Sequence, residues 1–241
     1  MHKSIAVVTI AACAALSGCN HAYEDGGATV SRNYQVGNFQ QIEVAGPYDV
    51  TVRTGANAGV SAQGSQKLLE RTVVVVQDGK LVIHPQETKG FHFMSFGTRG
   101  HADFTVTVPQ LNAATIAGSG DLHVDKVQGD RFDGTVAGSG KLDVDAVNVG
   151  ALKLSIGGSG SAKAGAGKAQ SAEYSIAGSG DIHAGAVDTQ QAKVTIAGSG
   201  NVDAHATGTA DVSIMGSGAV DVTGGAKCSV SKAGSGSVRC S

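Results

Sequence analysis

The stretch Ile176-Ala177-Gly178-Ser179-Gly180-Asp181-Ile182 belongs to a motif that recurs through the C-terminal half of the chain. Its Gly-Ser-Gly triplet begins at seven positions: Gly118, Gly138, Gly158, Gly178, Gly198, Gly216 and Gly234. The triplets are separated by 20 residues four times and then by 18 residues twice. A fixed period of this length is typical of a solenoid, in which each repeat forms one coil and stacks on its neighbours.

Apolar residues stand at fixed offsets from each triplet, which distinguishes the repeat from a flexible Gly/Ser linker. Two residues before six of the triplets stand Ile116, Val136, Ile156, Ile176, Ile196 and Ile214. Four residues after the first glycine stand Leu122, Leu142, Ala162, Ile182, Val202, Val220 and Val238. Since residues of one strand point alternately to its two sides, both rows are predicted to point inward.

Each triplet is therefore predicted to be a corner between two strands, where glycine permits positive φ angles and close contact between coils. Six residues before and after each first glycine, further inward pairs are expected: Asn112 with Val124, Phe132 with Val144, Leu152 with Ala164, Ala172 with Ala184, Ala192 with Ala204, Ala210 with Val222, and Cys228 with Cys240. The sequence thus predicts an all-β fold, a single-stranded β-helix of seven coils of 18–20 residues. At one strand spacing per coil, the stack is about 30 Å tall.

The region before the repeats also reads as β-structure. Short apolar or alternating runs, separated by turn residues, occur at Ile42–Val44, Tyr48–Val52, Val73–Val76, Leu81–Ile83 and Phe104–Val108. Asp78-Gly79 predicts a tight hairpin turn between two of them. We expect one domain over residues 41–241, with an irregular N-terminal β region at 41–110 and the repeats at 111–241. Residues 19–40 are predicted to be a tether.

The first residues look like a targeting segment. Lys3 precedes the apolar run from Ile5 to Leu16, which has the length of a signal-peptide core and is too short to span a bilayer. The following Leu16-Ser17-Gly18-Cys19 resembles the bacterial lipoprotein box. This resemblance implies that residues 1–18 are removed and that Cys19 carries lipid; the alternative is an ordinary signal peptide with an incidental cysteine. By the sorting rule of enteric lipoproteins, Asn20 favours the outer membrane.

Composition excludes nucleic acid as a partner, and two of the four cysteines lie in the repeats. The net charge is −2, so the chain offers no basic surface for nucleic acid. Cys228 and Cys240, symmetric about Gly234, fall in inward rows beside one corner. In an oxidising compartment they are predicted to form a disulfide, with two buried free thiols as the alternative.

The chain resembles the autotransporter adhesin family known as the head GIN domain. The resemblance rests on ordered segments: Ile42-Glu43-Val44, Tyr48-Asp49-Val50-Thr51-Val52, Gly79-Lys80-Leu81-Val82-Ile83, Val106-Thr107-Val108-Pro109-Gln110-Leu111 and the following Gly-Ser-Gly-Asp-Leu. It implies a β-helix similar in shape to the pectin-lyase group, without an established catalytic constellation, and a role in adhesion. A right-handed sense follows from this likeness and from the usual hand of crossover connections.

No motif in the repeats predicts a cofactor or a metal. The position after each triplet holds Asp121, Lys141, Ser161, Asp181, Asn201, Ala219 and Ser237, too few oxygen ligands for a calcium solenoid. His123 and His183 share an outward row but lie three coils, about 14 Å, apart, so they cannot share one ion. That row runs His123, Asp143, Lys163, His183, Asp203, Asp221, Arg239. Its Asp143 and Lys163 could be an acid and base of a polysaccharide-cleaving enzyme, but an exposed charge pair is the better interpretation.

A cluster of phenylalanines gives the one local candidate for binding. Phe91, Phe93, Met94 and Phe96 stand close together between two predicted strands. They either cap an open end of the solenoid or form a partner-binding tip. The sequence as a whole predicts a non-enzymatic, lipid-anchored envelope module with an adhesive or scaffolding role. Its expected partners are the membrane, through the lipid, and an unidentified surface protein or glycan; oligomeric state is left open, and a carbohydrate-active enzyme of pectin-lyase type is the alternative.

Overall fold

The computed structural model describes residues 28–86 and 101–241, which form sixteen β-strands and one short helix, α1 (Gln66–Glu70). The strands preceding the first long coil are β1 (Thr29–Tyr34), β2 (Gln41–Ala45), β3 (Asp49–Thr54), β4 (Gly59–Ser65), β5 (Thr72–Gln77), β6 (Lys80–Pro85), β7 (Ala102–Val108) and β8 (Ala113–Gly118). The strands that follow are β9 (Asp121–Gly138), β10 (Lys141–Gly158), β11 (Ser161–Gly178), β12 (Asp181–Gly198), β13 (Asn201–Gly216), β14 (Ala219–Thr223), β15 (Lys227–Ala233) and β16 (Ser237–Cys240).

The long strands stack in parallel and in register, one coil upon the next. β9 to β12 each run for 18 residues and bend around the coil between one triplet and the next. Leu122 pairs with Leu142, and Leu142 pairs with Ala162, so the 20-residue sequence period is also the structural period. The seven triplets delimit a β-solenoid of about six turns. This confirms the predicted fold class.

The change of period from 20 to 18 residues is absorbed on one side of the solenoid. β12 and β13 pair with an offset of 20 residues up to Ala184 and of 18 residues from Gln191 onward. The register shift lies at buried Thr189, whose Oγ1 donates a hydrogen bond to the carbonyl of His205 at 2.6 Å. A side-chain hydrogen bond thus replaces backbone hydrogen bonds between the two strands at the point where their register shifts.

The predicted inward rows form the core. All the residues two before the first six triplets, and those four after them, are buried. Large and small side chains alternate between neighbouring inward rows, so that each coil fills the same core space. In β9 the large Phe132 lies beside Gly134, whereas in β11 the small Ala172 lies beside Tyr174. An added Cβ at Gly134 would lie 2.6 Å from Leu142 Cδ2, so this glycine makes room for its large neighbours. The small alanines of β11 likewise leave space for the Tyr174 ring.

Tyr174 carries a buried hydroxyl that has no hydrogen-bond partner. We expect Tyr174→Phe to raise the free energy of unfolding by about 1 kcal/mol, because it removes an unsatisfied polar group and leaves the ring packing intact. Burial raises the pKa of Tyr174. The unfolded tyrosine therefore ionises near its ordinary pKa of about 10 while the folded one stays neutral, and stability falls as pH rises past that value. Tyr174→Phe should therefore lose less stability than the wild type between about pH 9 and 11.

The matched control is Tyr48→Phe. The Tyr48 hydroxyl forms a hydrogen bond of 3.0 Å with Thr72 Oγ1 and is buried like that of Tyr174. Its removal leaves Thr72 with one bond fewer, so this variant should lose about 1 kcal/mol. Urea unfolding of both variants at pH 7, followed by fluorescence or circular dichroism, measures the difference. Equal destabilisation by the two substitutions would show that the Tyr174 hydroxyl is satisfied in solution.

The N-terminal strands supply two irregular coils beneath the repeats. β2 and β3 pair in parallel with β8 and β9, so that Val44 lies beside Ile116 and Val50 beside Leu122. β6 and β7 continue the same stack below β2 and β3. The β5–β6 hairpin turns at Asp78 and Gly79, which both have positive φ angles of 50° and 74°. The predicted hairpin is confirmed, and the apolar segments of the N-terminal region lie in or beside strands.

The predicted boundary of the folded domain at residue 41 is wrong. β1 lies within the segment interpreted as a tether, and it pairs antiparallel with β4, which pairs antiparallel with β7. Arg32 donates a 3.3 Å hydrogen bond to the carbonyl of Leu69 in α1. The strand escaped prediction because its side chains alternate only between exposed and half-buried, so it lacks a strong apolar row. Helix α1, of five residues, was also not predicted.

Candidate binding surface

The outward row after each triplet forms an exposed polar face, which we call the His/Asp face. Its register is the predicted one: His123, Asp143, Lys163, His183, Asp203, Asp221 and Arg239 lie on successive strands. Neighbours in the row pair with each other. Lys163 Nζ lies 3.7 Å from Asp143, His183 Nδ1 lies 2.7 Å from Asp203, and an Arg239 nitrogen lies 3.1 Å from Asp221.

These contacts make Asp143 and Lys163 a loose charge pair between a half-buried carboxylate and an exposed ammonium group. The Lys163 side chain is 55% exposed, and pairs of this kind contribute less than about 1 kcal/mol. Asp121 and Lys141 are also in-register neighbours, as predicted. The face has a shallow hollow of about 170 Å³ near His123, whose lining includes Asp143 but not Lys163, so the two groups do not converge on one site. The structure therefore offers no support for Asp143 and Lys163 as an acid and base.

Cross-strand register brings histidine and aspartate together in two places that sequence spacing does not reveal. Ligand atoms of His123, Asp143 and Asp145 lie within 4.8 Å of one another, and so do those of Asp49, His101 and Asp103. In the first group, His123 Nε2 lies 3.2 Å from Asp145. In the second, His101 Nε2 lies 2.8 Å from Asp103. These side chains are half-buried or exposed, and His–Asp pairing accounts for their positions without an ion. The two histidines of the predicted row, His123 and His183, remain on strands three coils apart.

The part of each coil that precedes the triplet presents a second outward face, which we call the charge-ladder face. Its central row alternates in sign along the stack: Asp133, Lys153, Glu173, Lys193 and Asp211. Lys153 Nζ lies 3.4 Å from Glu173. The next outward row holds only hydroxyl side chains: Thr115, Thr135, Ser155, Ser175, Thr195, Ser213 and Ser231. Neither row was singled out from the sequence, although both stand at fixed offsets from the triplets.

A polar groove lies where the N-terminal coils meet the first repeat, and we call it the junction groove. β8 begins only at Ala113, so residues 109–112 place no strand beneath the Lys126–Arg131 part of β9. The resulting hollow has a volume of about 640 Å³. Its polar lining residues are Gln40, Gln41, Gln110, Asn112, Asp130, Arg131 and Asp133. A smaller hollow of about 320 Å³ continues it on the other side of Gln110.

Asn112 is the member of the junction groove that was predicted to point inward, as the partner of Val124. Val124 is buried as predicted, whereas Asn112 is only half-buried. Its Nδ2 donates to Gln40 Oε1 at 3.2 Å, while its Oδ1 is buried without a hydrogen-bond partner. An amide instead of an apolar residue in this row marks the place where the regular core ends.

The remaining predicted sites divide between the described and undescribed parts of the chain. Cys19 and the phenylalanine cluster of Phe91, Phe93, Met94 and Phe96 lie outside the described residues. Cys228 and Cys240 are joined in the structure, with a Cα–Cα distance of 6.7 Å. They lie on β15 and β16, beside the corner at Gly234. Cys228 is half-buried and Cys240 exposed, so this last coil is less enclosed than its predecessors.

Comparison with protein families gives a match over residues 38–226 to the family described as "Putative auto-transporter adhesin, head GIN domain". The chain belongs to this family. The match includes the N-terminal coils as well as the repeats up to residue 226, so the head GIN domain is more than the Gly-Ser-Gly array. A comparison with curated proteins finds no significant match.

Solved structures share the fold of this solenoid. A "putative adhesin" from Bacteroides fragilis has a TM-score of 0.79 at 24% identity, covering 90% of this chain and 99% of the other. A "putative lipid binding protein" from Parabacteroides distasonis has a TM-score of 0.74 at 26% identity, with 90% and 98% covered. A second "putative adhesin" from Parabacteroides distasonis has a TM-score of 0.71 at 24% identity, with 90% and 99% covered. The family and these two adhesins are described as adhesive rather than catalytic.

Within residues 28–86 and 101–241, no helix has the length and apolar character required to cross a membrane.

Proposed function

We propose that this chain is a non-enzymatic adhesin of the bacterial cell envelope, which binds a surface glycan or protein through its solenoid body. The observation that carries the proposal is the pair of long polar faces on the two sides of the triplet corner, the His/Asp face and the charge-ladder face. Each face extends about 30 Å along the stack. Every row in it has one residue per coil, and successive residues are separated by the distance between neighbouring strands. Membership of the head GIN family supports the adhesive reading.

The chemistry of the two faces suits adhesion better than catalysis. Several of their charges are neutralised by neighbours in the same row, as at Lys153–Glu173 and Arg239–Asp221. A surface of paired charges and hydroxyls is rigid, well hydrated and close to electrically neutral. Such a surface makes many weak polar contacts over a broad area, which is how polar interfaces gain specificity. Catalysis instead requires titratable groups that converge in one enclosed site.

The test is a binding measurement on the exported full-length protein extracted in detergent. We expect it to bind glycans on an array, or intact cells or envelope fragments, without releasing soluble sugar. A triple variant in which Phe91, Phe93 and Phe96 become Ser separates the phenylalanine cluster from the solenoid body. Unchanged binding by this variant would assign adhesion to the solenoid faces. Release of reducing sugars from a bound polysaccharide, or binding to none of these surfaces, would contradict the proposal.

We further propose that Cys19 carries lipid and holds the protein at the outer membrane. Cys19→Ala is expected to abolish incorporation of labelled fatty acid and to move the protein from the membrane fraction to the soluble envelope fraction. A Cys13→Ala variant is the matched control, since Cys13 lies inside the proposed signal peptide. Lipid incorporation in Cys19→Ala, or none in the wild type, would refute the anchor.

A further inference from the structure

Two groups of side chains beside the shallow hollow of the His/Asp face share one arrangement, a histidine with two aspartates. We call them the Asp49 group (Asp49, His101 and Asp103) and the His123 group (His123, Asp143 and Asp145). In each group two members lie directly opposite each other on paired strands, Asp49 with Asp103 and His123 with Asp143. The third member stands two residues along the chain from one of them, so it points to the same outer side.

The distances between ligand atoms suit a single ion in each group. His101 Nε2 lies 3.3 Å from Asp49 Oδ2 and 2.8 Å from Asp103 Oδ1. His123 Nε2 lies 3.2 Å from Asp145 Oδ2, and the three ligand atoms of each group all lie within 4.8 Å of one another. Zinc binds nitrogen and oxygen ligands at about 2.0–2.2 Å, so two ligands of one ion are about 3.0–3.4 Å apart. Rotation of the side chains alone closes the observed spacing around an ion.

The side chains of both groups are reachable from solvent. In the Asp49 group, Asp49 and His101 are 46% and 64% exposed. In the His123 group, His123 and Asp145 are 44% and 54% exposed, and Asp143 is the least exposed member at 23%. The backbone that carries the two groups belongs to or adjoins the consecutive strands β7, β3, β9 and β10. An ion therefore reaches ligands mounted on one rigid sheet without opening the solenoid.

The charges of both groups favour a cation. Asp49 and Asp103 face each other across the β3–β7 pair, and like charges in that position destabilise a sheet. His101 supplies a positive charge only when it is protonated, whereas a divalent ion neutralises both carboxylates in either case. In the His123 group, Lys163 Nζ lies 3.7 Å from Asp143 Oδ1 and offsets part of the negative charge. Lys163 is therefore a competitor of an ion in this group.

We propose that each group binds one divalent transition-metal ion of the Zn²⁺ type through one imidazole nitrogen and two carboxylate oxygens. Imidazole favours such ions, whereas Ca²⁺ requires about 6–8 oxygen ligands, more than either group offers. Binding replaces the His–Asp hydrogen bond: the Nε2 proton leaves or moves to Nδ1, and the ion takes its place. Three protein ligands leave at least one coordination position for water or for an oxygen of a bound partner. This inference goes beyond the proposed adhesive function and does not depend on it.

Isothermal titration calorimetry of the exported full-length protein in detergent tests the proposal, with Zn²⁺ as the probe and Ca²⁺ as the comparison. We expect two Zn²⁺ ions per chain, bound at least about 10-fold more tightly than Ca²⁺. His101→Ala and His123→Ala should each remove one ion, and the double variant should remove both. His183→Ala is the matched control, because His183 shares the row of His123 but is paired with one carboxylate, that of Asp203. Unchanged Zn²⁺ binding in the double variant, or an equal loss in His183→Ala, overturns the proposal.

Lys163→Met provides a test that a failure to fold does not imitate, because it predicts a gain. In the His101→Ala background, only the His123 group remains to be titrated. Removing the competing charge beside Asp143 should tighten Zn²⁺ binding there by about 3-fold or more, since a unit charge repels a divalent ion at this range even in water. Lys193→Met, on the charge-ladder face, should leave the affinity unchanged. An unchanged or lowered affinity in Lys163→Met overturns the assignment of an ion to the His123 group.

Discussion

Gly158→Ala is expected to lower the thermal midpoint of the solenoid by about 10 °C, whereas Gly157→Ala, one residue earlier, should leave it unchanged or raise it slightly. Gly158 opens a corner triplet with φ at 127°, where residues with a Cβ are strained. A Cβ built there would lie 2.4 Å from the carbonyl oxygen of Gly138 in the coil below. That obstacle is backbone, so it cannot move aside without breaking the stack.

The size of the effect follows from the backbone strain and the steric clash together. Left-handed strain costs about 1–3 kcal/mol, and the clash with an adjacent coil adds to it, so a loss of roughly 3–5 kcal/mol is expected. For a domain of this size, each kcal/mol moves the midpoint by about 2–4 °C. Hydrogen exchange should show the damage first in β9 and β10, because Gly138 and Gly158 end these two strands and coils of a solenoid contact only their neighbours.

Gly157 is the control because it shares the corner without sharing the constraint. A Cβ at Gly157 meets no atom within 4 Å, and its φ does not lie in the left-handed region. Alanine already stands at the equivalent position of five other coils: Ala117, Ala137, Ala177, Ala197 and Ala233. A Gly-to-Ala change at a compatible site stabilises by about 0.4–1 kcal/mol through the unfolded chain. Equal midpoints for the two variants would contradict the role assigned to the first glycine.

The repeats were predictable because one period governs sequence and structure alike. An inward residue in one coil lies on the residue 20 positions later, so rows read from the sequence are also rows in space. Tyr174 shows the limit of that reading. Its row holds Gly134, Leu154 and Val194 in other coils, and only three-dimensional packing reveals how neighbouring alanines make room for the ring.

The junction groove and the two His–Asp groups could not be predicted from the sequence, for a different reason. The groove combines residues near 40, 110 and 131 at a point where the repeat is interrupted, so no period connects them. The sequence places Asn112 in an inward row, and its position at the edge of the groove follows from the start of β8 at Ala113. His123 and Asp145 belong to different outward rows, and their contact depends on side-chain direction across two strands. Periodicity predicts which residues share a row, but it does not predict which side chains of different rows contact each other.

The last coil should depend on its disulfide. β15 and β16 each pair with one neighbouring strand, β13 and β14 respectively, so fewer backbone hydrogen bonds hold them than hold β10 or β11. The row that holds Ile214 ends in an exposed Lys232, and Val230 is 50% exposed, so apolar packing is also reduced. Closing the 12-residue separation between Cys228 and Cys240 is expected to stabilise this coil by about 3 kcal/mol.

A double variant, Cys228→Ala with Cys240→Val, tests that expectation while preserving the packing, because Ala210 and Val222 occupy the same rows one coil earlier. Hydrogen exchange in β15 should become more than 100-fold faster, the equivalent of about 3 kcal/mol, because the coil opens locally without the covalent link. Exchange in β10 should not change, since solenoid coils are coupled only to their neighbours. Alkylation of the exported protein without reduction, followed by mass spectrometry, establishes the bond itself. Two modified thiols, or unchanged exchange in β15, would show that packing alone holds the last coil.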